Sequence, residues 1–174
     1  ANLLLAVGAS PIMADDPDES AQITASCAAL ALSLGTPSKR RLRAMQLSAQ
    51  EAKCLHIPVI LDPVGVTVSP MRREAAATLL ESGAVSVIRA NASEIRVLAG
   101  EAHTACGLEA EDTAEAAREA ALRLAKNTGA IVVVTGETDV VTDGMRVCRI
   151  GNGHPIERCV TGAGCQLTAL LGAF

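Results

Sequence analysis

The chain has 174 residues, 49% hydrophobic and 20% charged, with a formal net charge of −4. That length suits one domain, residues 1–174, and that much apolar content supports a buried core, which excludes extended disorder. One Phe and no Trp or Tyr leave no stacking platform for single-stranded nucleic acid, and a mildly acidic chain lacks the positive face that phosphate backbones require. No nucleic-acid partner is expected.

Six cysteines occur without any C-x-x-C pair, and His56, His103 and His154 are scattered. Reduced thiols are expected, with no disulfide framework or zinc site. No apolar run reaches the roughly 18–20 residues of a membrane span and no signal segment opens the chain, so a soluble, cytoplasmic protein is expected. The basic cluster at 39–43 reads as a solvated helix face. Residues 1–5 and 167–174 sit inside apolar helical patterns without capping residues, which predicts a fragment of a longer domain.

In chain order, short Val/Ile/Leu-rich runs alternate with helical patterns. Strands are predicted at 11–14, 28–34, 58–61, 86–89 and 130–135, and helices at 18–25, 38–56, 70–81, 92–99 and 113–128. For the last helix, Asp112 and Glu115 at its start and Lys126 near its end complement the helix dipole. Segments 139–142 and 145–150 flank Asp143-Gly144 and predict a hairpin with a two-residue turn. A final helix is predicted at 166–173. This alternation implies a three-layer α/β fold, a mostly parallel central sheet with helices on both faces. Ligands of such sheets bind at the carboxyl ends of the strands. Met13, Asp15, Gly35, Thr36, Asp62, Arg89, Asn91, Glu94, Thr135, Gly136 and Glu137 all fall just after predicted strands.

The densest motif is Val160-Thr161-Gly162-Ala163-Gly164-Cys165, which precedes an apolar helical stretch. Two glycines around a small residue let main-chain N–H groups face an anion, and a helix start adds partial positive charge. The same field is expected to lower the Cys165 pKa. The bland alternative is a tight turn followed by a small buried thiol. A dinucleotide fingerprint fits worse, because Leu167 takes the place of its last glycine. Asp62, leaving the run Val59-Ile60-Leu61, can hold magnesium or cap a turn. Asn91 and Glu94 have the spacing of a capping box, which is compatible with a carboxylate facing a phosphate-bound cation. Thr135-Gly136-Glu137 suits phosphates or a turn.

The candidate segments follow in order: Gly-Ala-Ser-Pro-Ile-Met at 8–13, Leu-Gly-Thr at 34–36, Ile-Leu-Asp-Pro-Val-Gly at 60–65, Ile-Arg-Ala-Asn-Ala-Ser-Glu-Ile at 88–95, Val-Thr-Gly-Glu-Thr-Asp at 134–139 and Val-Thr-Gly-Ala-Gly-Cys at 160–165. That order resembles hydroxyethylthiazole kinase, a ribokinase-like family. The resemblance implies an enzyme, a phosphotransferase that moves the γ-phosphate of ATP to the hydroxyl of 4-methyl-5-(2-hydroxyethyl)thiazole in thiamine biosynthesis or salvage. It implies Cys165 as the catalytic residue, with the Gly162, Ala163 and Gly164 amides as an anion hole. Met13 and Gly162 would contact the thiazole; Arg89, Thr135 and Asn91 the nucleotide; Asp62 and Glu94 magnesium. A homotrimer with sites at subunit boundaries is implied, Met13 serving a neighbour's site. The sequence departs from the family pattern at Ser33, at Ala90 and at Val66-Thr67-Val68-Ser69. The alternatives are a kinase for another small alcohol such as a hydroxymethylpyrimidine, or a non-catalytic truncated paralogue.

Overall fold

A computed structural model describes residues 1–101, 113–151, 153–154, 156 and 159–174. Asp112, His103 and Cys106 lie outside the described residues. Six strands form one sheet in sequential order: β1 (Leu30–Ser33), β2 (Val59–Asp62), β3 (Val87–Asn91), β4 (Ile131–Thr135), β5 (Asp139–Thr142) and β6 (Val147–Ile150). The first four are mutually parallel, and β5 and β6 continue antiparallel. The helices are α1 (Asn2–Ala6), α2 (Ser20–Ala25), α3 (Lys39–Leu55), α4 (Pro70–Glu81), α5 (Ala92–Leu98), α6 (Arg118–Thr128) and α7 (Ala163–Leu171).

Local chemistry explains most boundaries. Ser38 and Ser69 cap α3 and α4 by accepting the Arg41 and Arg72 amides, and Pro70 opens α4 where its missing N–H costs nothing. Gly129, at φ +73°, ends α6 in the left-handed conformation that a glycine adopts without strain.

Four expectations are corrected. Residues 11–14 form no strand: the segment is irregular, and Asp15 and Asp16 pair with Arg41 and Arg40 of α3. The basic cluster is therefore in part an anchor for this segment. Second, the continuous helix α6 begins at Arg118 and not at 113: the Thr113 hydroxyl accepts the Ala116 amide as a cap does, but residues 114–117 remain in turns. Third, Glu115 pairs with Arg149 of β6 at 2.7 Å instead of serving the helix terminus, a place taken by Glu119. Fourth, the β5–β6 turn is four residues long, since Thr142 pairs with Val147. The Asp143 carboxylate accepts the Met145 and Arg146 amides and holds that loop.

Strand alternation sorts the side chains into two layers. Leu32 and Leu34, Val59 and Leu61, Ile88 and Ala90, and Val132 and Val134 all join the main core cluster, together with Ala49, Ala52, Ala76, Leu79, Ile95, Ala121 and Leu124 of α3 to α6. Ser33, Ile60, Asp62, Arg89 and Thr135 must then point to the opposite face. There α7 packs on β1 and β2, with α1 against it. A Cβ placed on Gly172 at the end of α7 would lie 3.4 Å from Ile60 Cδ1, which fixes the helix over β2.

Candidate active site

Four polar side chains emerge on the α7 face at the carboxyl ends of β1 to β4: Ser33, Asp62, Arg89 and Thr135. The start of α7 covers them. A Cβ on Gly164 would fall 2.3 Å from Arg89 Nη1 and 2.9 Å from Cζ, so the guanidinium packs directly against the Gly164 backbone. Arg89 Nη2 donates to Thr135 Oγ1 at 2.8 Å, and Nη1 stands 3.8 Å from Asp62 Oδ1. Asp62 is 0% exposed. Its Oδ2 accepts from Ser33 Oγ at 3.5 Å, whereas Oδ1 has no hydrogen-bond partner among the described residues.

Burial pushes the Asp62 carboxyl up. The Cys165 thiol, the Arg89 charge and the Thr168 and Ser33 hydroxyls pull the other way without reversing it. Cys165 is also raised above the ordinary thiol value, by burial of the sulfur and then by the charge and hydrogen bonding of Asp62. The residue as a whole is exposed, so the shielding acts on the side facing Asp62. The expectation that the helix field lowers the Cys165 pKa is therefore corrected: burial of the sulfur, and then the Asp62 carboxylate, raise it.

Gly162, at φ +82°, is the N-cap of α7. The Ala163 amide donates to Val160 O at 3.3 Å, so it is already engaged; the amides of Gly164 and Cys165 in the same turn have no backbone acceptor among the described residues. Of the amides named at 162–164, only that of Ala163 is engaged by a described backbone acceptor.

Asn91 and Glu94 form a full capping box at the start of α5, and this occupies both side chains. The Asn91 side-chain oxygen accepts the Glu94 amide at 2.9 Å and Ser93 Oγ at 3.0 Å. Glu94, 7% exposed, accepts the Gly65 amide on Oε1 at 2.9 Å and the Asn91 amide on Oε2 at 3.2 Å. Glu94 thereby fastens the loop after β2 to the loop after β3.

Arg72 fastens the same loop from the other side. It donates to Val64 O at 2.8 Å and to Gly35 O at 3.0 Å. The positive φ of Gly65 leaves room for it, since a Cβ there would meet Arg72 Nη1 at 2.3 Å. Arg73 holds Val66 O and Thr67 O. Met13 stands apart: it is 87% exposed, in the segment whose ion pairs lead to α3.

Sequence reasoning missed Ser33 and Arg72. A signal existed for each. Ser33 alternates with Leu32 and Leu34, and Arg72 puts a positive charge in the first turn of a helix, against the dipole.

A sequence profile of the hydroxyethylthiazole kinase family matches residues 1–174. The chain belongs to the hydroxyethylthiazole kinase family. It is 44% identical to the hydroxyethylthiazole kinase of Ruminiclostridium cellulolyticum over 100% of this chain and 65% of that protein. It is 47% identical to the one from Cereibacter sphaeroides, over 100% of this chain and 66% of the relative. The chain thus spans just under two thirds of these relatives' length. Among solved structures, hydroxyethylthiazole kinase from Pyrococcus horikoshii OT3 superposes with a TM-score of 0.89 at 34% identity, covering 99% of this chain and 64% of that one. A Bacillus subtilis pyridoxal kinase, solved as an ADP complex, superposes with a TM-score of 0.59 at 26% identity, covering 82% and 55%. The fold is therefore the mixed, mostly parallel sheet of these ribokinase-like kinases. No described helix is long and apolar enough to cross a membrane.

Proposed function

We propose that the protein transfers the γ-phosphoryl group of ATP to the hydroxyl of 4-methyl-5-(2-hydroxyethyl)thiazole, in thiamine biosynthesis or salvage. The observation that carries this reading is the convergence of Asp62, Arg89, Gly164 and Cys165 beneath the first turn of α7, in a chain of this family.

Each residue has a role that follows from its surroundings. Transfer of a phosphoryl group relies on positioning and on spreading negative charge over fixed donors. The Gly164 and Cys165 amides and the Arg89 guanidinium supply those donors, with Gly162 turning the chain and Ala163 keeping the turn narrow. Thr135 holds Arg89 by accepting from it. The acceptor oxygen bonds to phosphorus as the β–γ bridge breaks, and its proton passes to Cys165 Sγ late in the transfer. Asp62 makes the thiolate a stronger base, at the cost of making it rarer at neutral pH.

A magnesium ion fits Asp62, because Oδ1 is a buried hard oxygen without a hydrogen-bond donor. Among the described residues no group of three acidic, His or Cys side chains surrounds it, so phosphate and water oxygens would complete the shell. When bound, the ion supplies charge neutralisation across the phosphates. Glu94, with both oxygens on amides, contributes by fixing the Gly65 loop. Met13, with its side chain exposed, suits contact with a thiazole in a neighbouring subunit, as in a homotrimer. The free state of the five described cysteines supports a cytoplasmic setting.

The test is ADP release by the full-length protein with ATP, magnesium and hydroxyethylthiazole. Thiazole-dependent turnover is expected, with far less on a hydroxymethylpyrimidine. A folded protein without thiazole-dependent turnover contradicts the proposal.

A further inference from the structure

Ser33 lies outside the set of residues assigned above to the reaction, yet it touches the centre of the cluster. Its side chain faces α7 because Leu32 and Leu34 on either side of it are buried in the opposite layer. In the β1–β2 ladder it pairs laterally with Asp62.

A hydroxyl has one hydrogen to give, and Ser33 stands beside two acceptors, Asp62 Oδ2 and the Cys165 sulfur. The Gly35 amide can only donate, and it donates to Ser33 Oγ at 3.4 Å. The Ser33 hydrogen is then free for these acceptors, with Asp62 Oδ2 at 3.5 Å. Thr168, the other hydroxyl beside Asp62, is shared: it lies 3.2 Å from Gly164 O within α7 and also against the carboxylate. Behind Gly35 stands Arg72, which holds the Gly35 carbonyl at 3.0 Å. An unbroken series of hydrogen bonds therefore runs from Arg72 through Gly35 and Ser33 to Asp62, beside Cys165.

We infer that Ser33 is a positioning residue: it binds Oδ2 of Asp62, sets the rotation of that carboxylate, and leaves Oδ1 directed at Arg89 and the reacting group. This rests on the kinase reading above and deepens it. The carboxylate is buried, so without Ser33 no water replaces the hydroxyl at low cost and the group turns toward the nearest other donors, Arg89 and the thiol. Both of these are needed elsewhere in the reaction.

The experiment compares full-length wild type, Ser33→Ala and Ser33→Thr, a change that keeps the hydroxyl and suits a strand. In steady-state kinetics Ser33→Ala is expected to lower kcat roughly tenfold, with KM for both substrates within about twofold, and Ser33→Thr to restore kcat to within about threefold. Unchanged kcat in Ser33→Ala, or no recovery in Ser33→Thr, overturns the inference. A second measurement needs no substrate: a double-mutant cycle on the unfolding equilibrium with Ser33→Ala and Asp62→Asn. Coupling of roughly three- to tenfold in the unfolding constant is expected, and its absence overturns the inference even if the thiazole proves not to be the substrate. Failure of wild type to turn over the thiazole, with that coupling intact, sinks the kinase reading and leaves the Ser33–Asp62 contact established.

Discussion

Gly164→Ala subjects the site to the smallest possible change. A methyl group there must displace Arg89, because its ideal position lies 2.3 Å from Nη1, 2.8 Å from Nη2 and 2.9 Å from Cζ. Moving the guanidinium breaks its bond to Thr135 Oγ1, a hydrogen bond to a charged group worth about 1.5–3 kcal/mol. Against this, alanine gains about 0.5–1 kcal/mol over glycine within a helix. The net cost is about 1–2 kcal/mol, which lowers the melting temperature by roughly 2–8 °C for a chain of this size. Activity suffers more, because Arg89 is a charge-stabilising donor: a fall in kcat of roughly 100-fold is expected. The control is Gly172→Ala at the other end of α7, where the new Cβ would meet Ile60 Cδ1 at a tolerable 3.4 Å. That variant should keep wild-type kinetics. Thermal melts and ADP-release kinetics on both proteins decide the matter. A Gly164→Ala enzyme with wild-type kcat and melting temperature would refute the placement of Arg89 under α7.

Other perturbations have equally definite signs. Glu94→Gln leaves either the Gly65 or the Asn91 amide facing an NH2 group, so denaturant melts should show a loss of about 1–3 kcal/mol. Burial raises the Asp62 pKa, so the folded protein holds that proton more tightly than the unfolded chain. The stabilising contribution is present below the ordinary carboxylate range and is lost as pH rises through the folded value. The melting temperature of Asp62→Asn minus that of wild type should accordingly grow between acidic and neutral pH; a shrinking difference contradicts the sign. The same substitution removes a negative charge that, after burial, raises the Cys165 thiol. Iodoacetamide labelling of Cys165, followed by peptide mass spectrometry, should then reach half-maximal rate at lower pH than in wild type.

The sheet was legible because its signal is strong and local. Val59-Ile60-Leu61 is apolar on both faces, as a strand covered by two layers must be, and Ser69-Pro70 marks the start of α4. The strand expected at 11–14 failed for a non-local reason: a strand needs a partner, and among the described residues the sheet edge at β1 pairs only with β2. At α6 the Thr113 hydroxyl caps the turn at 114–117, and the continuous helix starts only after it, at Arg118.

At the site, Asp62 and Arg89 could be nominated from their positions at strand ends. The direction of the Cys165 shift could not, because it depends first on burial of the sulfur and then on a carboxylate brought from over a hundred residues away in sequence. Glu94 illustrates the same limit. Its spacing from Asn91 predicted the capping box, while its grip on Gly65 comes from the packing of two loops. Ser33 stood out in the sequence only as a departure from the family pattern; its contact with Asp62 needed β2 to be placed beside β1.

The most direct test is the kinetics of full-length wild type against Cys165→Ala, with ATP, magnesium and hydroxyethylthiazole. A fall in kcat of at least roughly 100-fold with little change in KM is expected, the signature of a group that acts on the proton of the acceptor hydroxyl. A Cys165→Ala enzyme that turns over at the wild-type rate would show that the chemistry lies elsewhere.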